Sequence, residues 1–175
     1  MGVIRGPRHL RWAALVAMPL ALCACTVPIG GVTGITVDAD GSPVAVVAVC
    51  EGQIDGVTVY AGQGEGGKDF GTWTARTPIR REGRLPMAAP SSGWATDTPL
   101  APLKARTTYT VYGWTTDNNW STGSVSFTLA ELQDLDPGQV RYEAYDEGTD
   151  RWTHPKATEA HFRDRACAES RQQRG

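Results

Sequence analysis

The chain has 175 residues, 41% of them hydrophobic and 21% charged, with a formal net charge of -2. This is enough material for one modest core, so we expect a single domain. The small acidic charge excludes the Lys/Arg excess that nucleic acid would require, so no nucleic-acid partner is expected. The 20 Gly and 11 Pro residues punctuate short apolar runs, a composition that favours strands and turns over long helices.

The N-terminus is organised like an export signal. Arg5, Arg8 and Arg11 precede an apolar run over residues 13–24, and the first acidic residue is Asp38. Twelve helical residues rise only about 18 Å, against a hydrocarbon core of about 30 Å. The pattern therefore predicts a cleaved signal peptide over residues 1–24 and not a membrane span.

The apolar run ends in Leu22-Cys23-Ala24-Cys25, which resembles the lipobox of bacterial lipoproteins. The resemblance implies cleavage before Cys25 and a diacylglyceryl group on its sulfur. Two acyl chains anchor a protein durably where one is marginal, so the expected location is the outer face of the cytoplasmic membrane. The alternative is an ordinary secreted protein in which Cys25 is an unpaired thiol.

With Cys23 removed and Cys25 lipidated, Cys50 and Cys167 remain. Two thiols in an oxidising compartment predict one disulfide, which would stabilise the fold by about 4 to 5 kcal/mol in the chain-entropy model. A redox or metal site is the alternative, but neither cysteine belongs to a CxxC pair. The bridge would attach the C-terminus to an early strand.

The first half of the mature chain reads as a tether followed by strands. Residues 25–33 are expected to form the lipidated N-terminus and a short spacer, and residues 34–170 the domain. A turn cluster at residues 39–43 predicts a β-hairpin whose second strand, residues 44–50, is buried on both faces. Further strands are expected at residues 54–60 and 70–75, with edge strands and loops in the Pro-rich stretch 78–102.

The second half contains the strongest strand pattern, at residues 107–115. A turn at residues 117–119 leads to a strand over residues 123–128. Thr128 and Glu131 have the spacing of a capping box, which predicts a short helix. The remaining expectations are a strand at 140–145, a helix at 158–170 and a disordered tail at 171–175.

These elements predict a mainly β domain, an antiparallel sandwich with a short C-terminal helix. The stretch from Leu103 to Tyr109 resembles the tyrosine corner of fibronectin type III domains, in which a Tyr six residues after a Leu hydrogen-bonds back to the chain. This resemblance implies an Ig/fibronectin-III-like sandwich and no function.

Several motifs suggest chemistry but lack essential parts. Gly62 to Asp69 is similar to a phosphate-binding loop, yet Asp69 replaces the required hydroxyl and a strand follows it. Asp38-Ala-Asp40-Gly41 lacks the downstream ligands of a calcium loop. His154 and His161 have no metal-binding motif around them. We therefore expect no metal, no cofactor and no enzyme, although a cleft that gathers His154, Asp146 and Glu147 would favour catalysis.

The tryptophans offer one candidate binding site. Trp114, Asp117, Asn118 and Trp120 lie in a single turn segment, and exposed aromatic rings beside Asp and Asn are how sandwich modules stack on sugars. The alternative is that the rings fill the core and cover one outer face of the sheet.

The lipobox, Cys50, the Trp114 to Ser121 turn, the Leu135 to Val140 stretch and the Cys167 helix together resemble small actinobacterial lipoproteins of unassigned function. The resemblance implies a membrane-anchored, non-catalytic interaction or structural module whose partner is an envelope protein or a cell-wall polymer. A glycan-binding module for cell-wall polymers is the alternative.

Overall fold

The computed structural model describes residue 2, residues 26–62 and residues 68–172. This part of the chain is mainly β, as expected, and its strands and helices are, in chain order, β1 (Ile29–Val37), β2 (Pro43–Val49), β3 (Ile54–Ala61), β4 (Lys68–Ile79), β5 (Glu82–Pro86), β6 (Trp94–Thr98), β7 (Tyr109–Trp114), β8 (Ser121–Gly123), β9 (Val125–Phe127), α1 (Leu129–Gln133), β10 (Gln139–Tyr142), β11 (Ala144–Asp146), β12 (Arg151–Thr153), β13 (Lys156–Thr158) and α2 (Glu159–Gln172).

The predicted first hairpin is confirmed. Strands β1 and β2 pair antiparallel from Gly31 opposite Val49 to Val37 opposite Pro43. The turn is closed by the Asp38 N–H, which donates to the Ser42 carbonyl at 2.9 Å. Gly41 has a φ of 80° there, a conformation that favours glycine.

Strand β2 is buried on both faces, as its unbroken apolar run predicts. Ala45, Val47 and Val49 point into the main core. Val44, Val46 and Ala48 point to the opposite face, where they pack in a second core with α2. Successive residues of a strand alternate between its faces, so this single strand joins the two cores.

Eleven of the strands in the described part of the chain form one sheet that is nearly closed. On the edge opposite β2, strand β1 pairs first with β8 in parallel and then with β10 antiparallel. The sheet thereby curls so that β2 and β5 face β3, β4 and β7 across the main core. Where β5 approaches β6, the Trp94 indole N–H donates to the Arg84 carbonyl at 3.0 Å.

The main core contains large side chains that are excluded from solvent, among them Trp73, Tyr109 and Phe127. The Tyr109 hydroxyl accepts a hydrogen bond from the Lys104 N–H at 2.7 Å. The predicted bond from this tyrosine back to the preceding chain is therefore confirmed.

Helix α2 covers the outer face of the sheet. Phe162 is fully buried and its ring lies 5.2 Å from that of Tyr142. The predicted Cys50–Cys167 disulfide is present and attaches the helix to the end of β2. The short helix α1 also forms as predicted, with a capping box between Thr128 and Glu131.

Several boundaries differ from the sequence-based prediction, and β4, expected over residues 70–75, runs over Lys68–Ile79. Residues 29–33 belong to β1 and are not spacer, because they pair with β2 and β8. The strand expected over residues 140–145 is interrupted at Glu143, since β10 pairs with β13 while β11 pairs with β12. Helix α2 continues to Gln172, beyond the expected start of a disordered tail.

Some expectations fall on residues outside the described part of the chain. These are the leader, Cys25, most of the loop between β3 and β4, and residues 173–175. Among the residues that are described, none of the helices is long and apolar enough to cross a membrane.

Candidate functional site

The four residues predicted as a sugar-binding segment lie in the tight connection between β7 and β8. Trp114 ends β7 and Trp120 precedes β8. The Thr115 N–H donates to the Trp120 carbonyl at 3.1 Å, and the Thr115 hydroxyl accepts from the Trp120 N–H at 2.9 Å. Asp117 and Asn118 are exposed at the tip. The structure thus brings the four residues together in one hairpin turn.

Asp117 organises the tip of this turn. Its carboxylate accepts from the Asn119 N–H at 3.0 Å and from the Asn119 side-chain amide at 2.7 Å. These hydrogen bonds, led by the Asn119 N–H, hold the pKa of Asp117 below its ordinary value. Asn118 adopts a φ of 57°, which Asn tolerates better than most residues.

Both tryptophan rings of the segment are half-buried and lie against glycines. A Cβ atom on Gly56 would come within 2.2 Å of the Trp114 ring, whose indole N–H donates to the Thr58 hydroxyl at 2.9 Å. A Cβ on Gly30 or Gly52 would come within 2.7 Å of Trp120. The rings therefore have a packing role, and sugar binding at this turn stays a prediction.

The exposed large hydrophobic side chains of the described chain lie elsewhere. They are Ile29, Tyr145 and Trp152, with 57%, 39% and 63% of their surface exposed, and we call them the Trp152 patch. All three line one open groove of about 650 Å³, a size typical of ligand sites. None of the sequence motifs described above lies in this groove.

A small hairpin positions the two aromatic rings of the patch. Tyr145 in β11 and Trp152 in β12 are directly opposite each other. Their ring centroids are 5.5 Å apart in an edge-to-face arrangement. The Tyr145 hydroxyl donates to the Asp150 carboxylate, which raises the pKa of Tyr145 above its ordinary value. The hydrogen bond and the ring contact both restrain the hairpin.

The floor of the groove is apolar and closely packed. Val32, Ala144 and Ala166 line it, and Ala166 stands one residue before the disulfide at Cys167. Gly31 also lines the groove. A Cβ atom on Gly31 would lie 2.3 Å from the Ala48 carbonyl oxygen, so the close approach of β1 to β2 requires glycine at this position. Residues 26–29, which lead into β1, line the groove as well. The groove is thus built where β1 begins and α2 is attached by the disulfide.

Glu143 is the carboxylate of the groove lining, and it already has partners. Its Oε1 accepts from the Ser126 N–H at 3.1 Å, and the Nε2 atom of His154 lies 3.5 Å from the same oxygen. His154 therefore faces a carboxylate that also accepts a hydrogen bond from the backbone of β9. His161 lines a separate, smaller cavity with Arg165.

Two other acidic residues named in the sequence motifs accept hydrogen bonds within surface turns. Asp40 accepts from the Ser42 N–H in the first hairpin turn, which lowers its pKa. Asp146 accepts from the Gly148 N–H and from the Thr149 hydroxyl in the turn between β11 and β12. In the described ranges, no group of three or more His, Cys, Asp or Glu residues is placed to bind a metal ion.

A sequence signal for the Trp152 patch does exist. Trp152 stands in the stretch Asp150-Arg151-Trp152-Thr153-His154, and a large ring among charged and polar neighbours in a short strand is a sign of exposure.

Comparison of the chain with models of protein families, with characterised proteins and with solved structures found no match.

Proposed function

We propose that this protein is a lipid-anchored module on the outer face of the cytoplasmic membrane, where it binds or positions another envelope component and performs no catalysis. The observation that carries the proposal is the lipobox-like sequence Leu22-Cys23-Ala24-Cys25 after a positively charged, apolar leader. Cys25 would carry the diacylglyceryl group and be the first residue of the mature protein.

The surroundings of residues 26–29 support this assignment. Thr26 and Pro28 are exposed, and β1 begins at Ile29. A lipid on Cys25 would therefore leave the domain at its surface, with only residues 26–28 between the anchor and the sheet. The Cys50–Cys167 disulfide supports an oxidising compartment outside the cytoplasm.

The proposal of a non-catalytic role is supported by the positions of the carboxyl groups whose pKa values are shifted. Perturbed pKa values concentrate at catalytic sites, but they also arise in structural networks. The pKa of Asp40 is lowered by hydrogen bonds from Ser42, and that of Asp134 by a hydrogen bond and ion pair with Lys156. Each shift belongs to a surface turn or an exposed ion pair.

The test is the intact mass of the protein extracted from membranes, before and after reduction and thiol alkylation. We expect a mass of residues 25–175 plus diacylglycerol, with two thiols that react only after reduction. Cys25→Ala should lose the lipid, while Cys23→Ala, two positions away, should keep it. An unlipidated wild-type protein would overturn the proposal.

We also propose that the nearly closed sheet is an Ig/fibronectin-III-like sandwich. The hydrogen bond of Tyr109 to Lys104 and the packing of β2 and β5 against β3 and β4 on one core support this class. A crystal structure in which two layers of strands cross at about 30° would support the proposal. A fully closed barrel would contradict it.

A further inference from the structure

The Trp152 patch gathers the exposed large hydrophobic side chains of the described chain on one groove. Isolated exposed apolar residues are normal on a protein surface, whereas adjoining ones at a groove mark a place of contact. Trp152 is the most exposed of the three, and its ring is supported at the edge by Tyr145. The patch is therefore a candidate contact surface.

The position of the patch along the chain restricts what that occupant can be. Thr26 lines the groove and follows Cys25 directly, and Ile29 is four residues from Cys25. Four residues span at most about 14 Å. If Cys25 carries the lipid, its sulfur lies at the bilayer surface, so Ile29 must lie within about 14 Å of that surface. The headgroup region of one leaflet is itself about 5 to 8 Å thick.

We infer that the Trp152 patch docks on the boundary between lipid headgroups and acyl chains beside the Cys25 anchor, and so sets the orientation of the domain on the membrane. The inference rests on the proposed lipidation of Cys25. Trp and Tyr are suited to this depth, because each ring has an apolar body and a polar edge. Ile29 adds an aliphatic contact next to the anchor.

The chemistry of the groove favours a lipid surface over a soluble polymer. Its floor is made of Val32, Ala144 and Ala166, and its carboxylate, Glu143, already accepts a backbone hydrogen bond. A polymer would have to enter between this face and the bilayer, which the short connection over residues 26–28 leaves little room for. A lipid surface needs neither a deep site nor free polar groups.

Charges near the patch indicate how the contact works. The turn between β11 and β12 exposes Asp146, Glu147 and Asp150, and Arg151 is the neighbouring cation. Basic clusters attract anionic lipids, and acidic ones are repelled by them. The attraction is therefore apolar, the acidic turn stays in water, and the contact should be insensitive to salt on neutral membranes.

The test uses the full lipidated protein reconstituted in phosphatidylcholine vesicles whose acyl chains carry bromine, a contact quencher of Trp emission. One set of vesicles has bromine close to the headgroup and the other close to the chain ends. We expect stronger quenching by the shallow bromine, and we expect Trp152→Phe to lose most of that quenching. Trp94→Phe removes a buried ring and should keep it.

Each possible outcome decides the inference. Intact mass reports lipid on Cys25 separately, and an unchanged urea midpoint shows that Trp152→Phe is folded. If the protein is lipidated but shallow quenching is the same in wild type and Trp152→Phe, the docking inference is wrong and the proposed function stands. Stronger quenching by the deep bromine would point to an acyl chain inside the groove and would also overturn it. If no lipid is present, the proposed function and the inference both fail.

Discussion

Trp114 and Trp120 show how glycine and tryptophan positions depend on each other in this sheet. Gly56 stands opposite Trp114 in the pairing of β3 with β7, and the indole ring occupies the space above the glycine. Trp120 fills the equivalent space over Gly30 and Gly52. These glycines are required by close approach of a ring, and the two tryptophans are held half-buried by the same contacts.

Gly56→Ala should destabilise the domain through this contact. The new Cβ would lie 2.2 Å from the Trp114 ring, so the ring or the strand must shift. Overpacking of this kind costs about 1 to 3 kcal/mol. Urea unfolding of the two proteins measures the difference. Gly93→Ala is the control, because its nearest neighbour would be 3.9 Å away, and a loss as large there would refute the argument.

Asp117 should make the stability of the β7–β8 turn depend on acidic pH. Its folded pKa is lowered from the ordinary value of 3.8, because the ionised carboxylate accepts hydrogen bonds from Asn119 and Thr115. The stabilisation is therefore complete above the unfolded pKa and is lost as pH falls through the folded pKa.

Unfolding midpoints of wild type and Asp117→Asn between about pH 6 and pH 2 measure this effect. We expect the wild type to be more stable at the upper end and the two midpoints to converge at the lower end. A constant difference across the range would show that the ionised form is not what stabilises the turn.

At the scale of elements, helix α2 is mainly polar and is held by a small apolar stripe. Over residues 159–168, whose side chains are described, the completely buried ones are Phe162 and Ala166. The Thr158 hydroxyl accepts from the His161 N–H at its start, and Arg163 forms an ion pair with Glu82 of β5. Exposed ion pairs contribute little, so Phe162 carries most of the attachment besides the disulfide.

Phe162→Ala should therefore cost about 3 to 5 kcal/mol, the usual loss for a buried phenylalanine. The cavity would lie between Tyr142 and the outer face of β2. Unfolding in urea with the disulfide intact gives the number. Ala160→Ser is the control, because Ala160 lies two residues before Phe162 and is exposed. It should change stability by less than about 0.5 kcal/mol. A small loss at Phe162 would mean that the disulfide alone holds the helix.

At the scale of the whole molecule, the Cys50–Cys167 bridge joins two parts separated by 117 residues. It connects the end of β2, which belongs to both cores, with the helix that covers the outer one. A loop of this length restricts the unfolded chain by about 4 to 5 kcal/mol in the chain-entropy model. The bridge also closes the end of the molecule at which the groove lies.

Cys50→Ser with Cys167→Ser should lower the free energy of unfolding by about 3 to 5 kcal/mol and leave the strands folded at room temperature. Urea titration followed by far-ultraviolet circular dichroism gives the midpoint. The single variant Cys23→Ala is the control, because Cys23 lies in the predicted leader, and it should have no effect on the stability of the domain. Equal stability with and without the bridge would contradict its assigned role.

Much of this architecture is predictable because its causes are local. The apolar run at 44–50 predicts a strand buried on both faces, and the residues at 39–43 predict the turn before it. Thr128 and Glu131 predict the helix cap, and the resemblance of Leu103 to Tyr109 to the tyrosine corner implies the backbone hydrogen bond. Each of these features depends on residues within a few positions of one another, so the pattern of the chain is sufficient.

Other features needed the tertiary structure because they depend on which strand lies opposite. Gly30 and Gly31 read as spacer until β2 and β8 are placed beside them. The strand predicted over residues 140–145 is divided at Glu143 because β10 pairs with β13 whereas β11 pairs with β12. The exposure of Trp152 and the half-burial of Trp114 also depend on the residue that lies opposite, which is Tyr145 for Trp152 and Gly56 for Trp114. The sequence alone predicted the cysteine pair and the β character that the structure confirms, whereas packing between distant strands decided which aromatic rings face solvent.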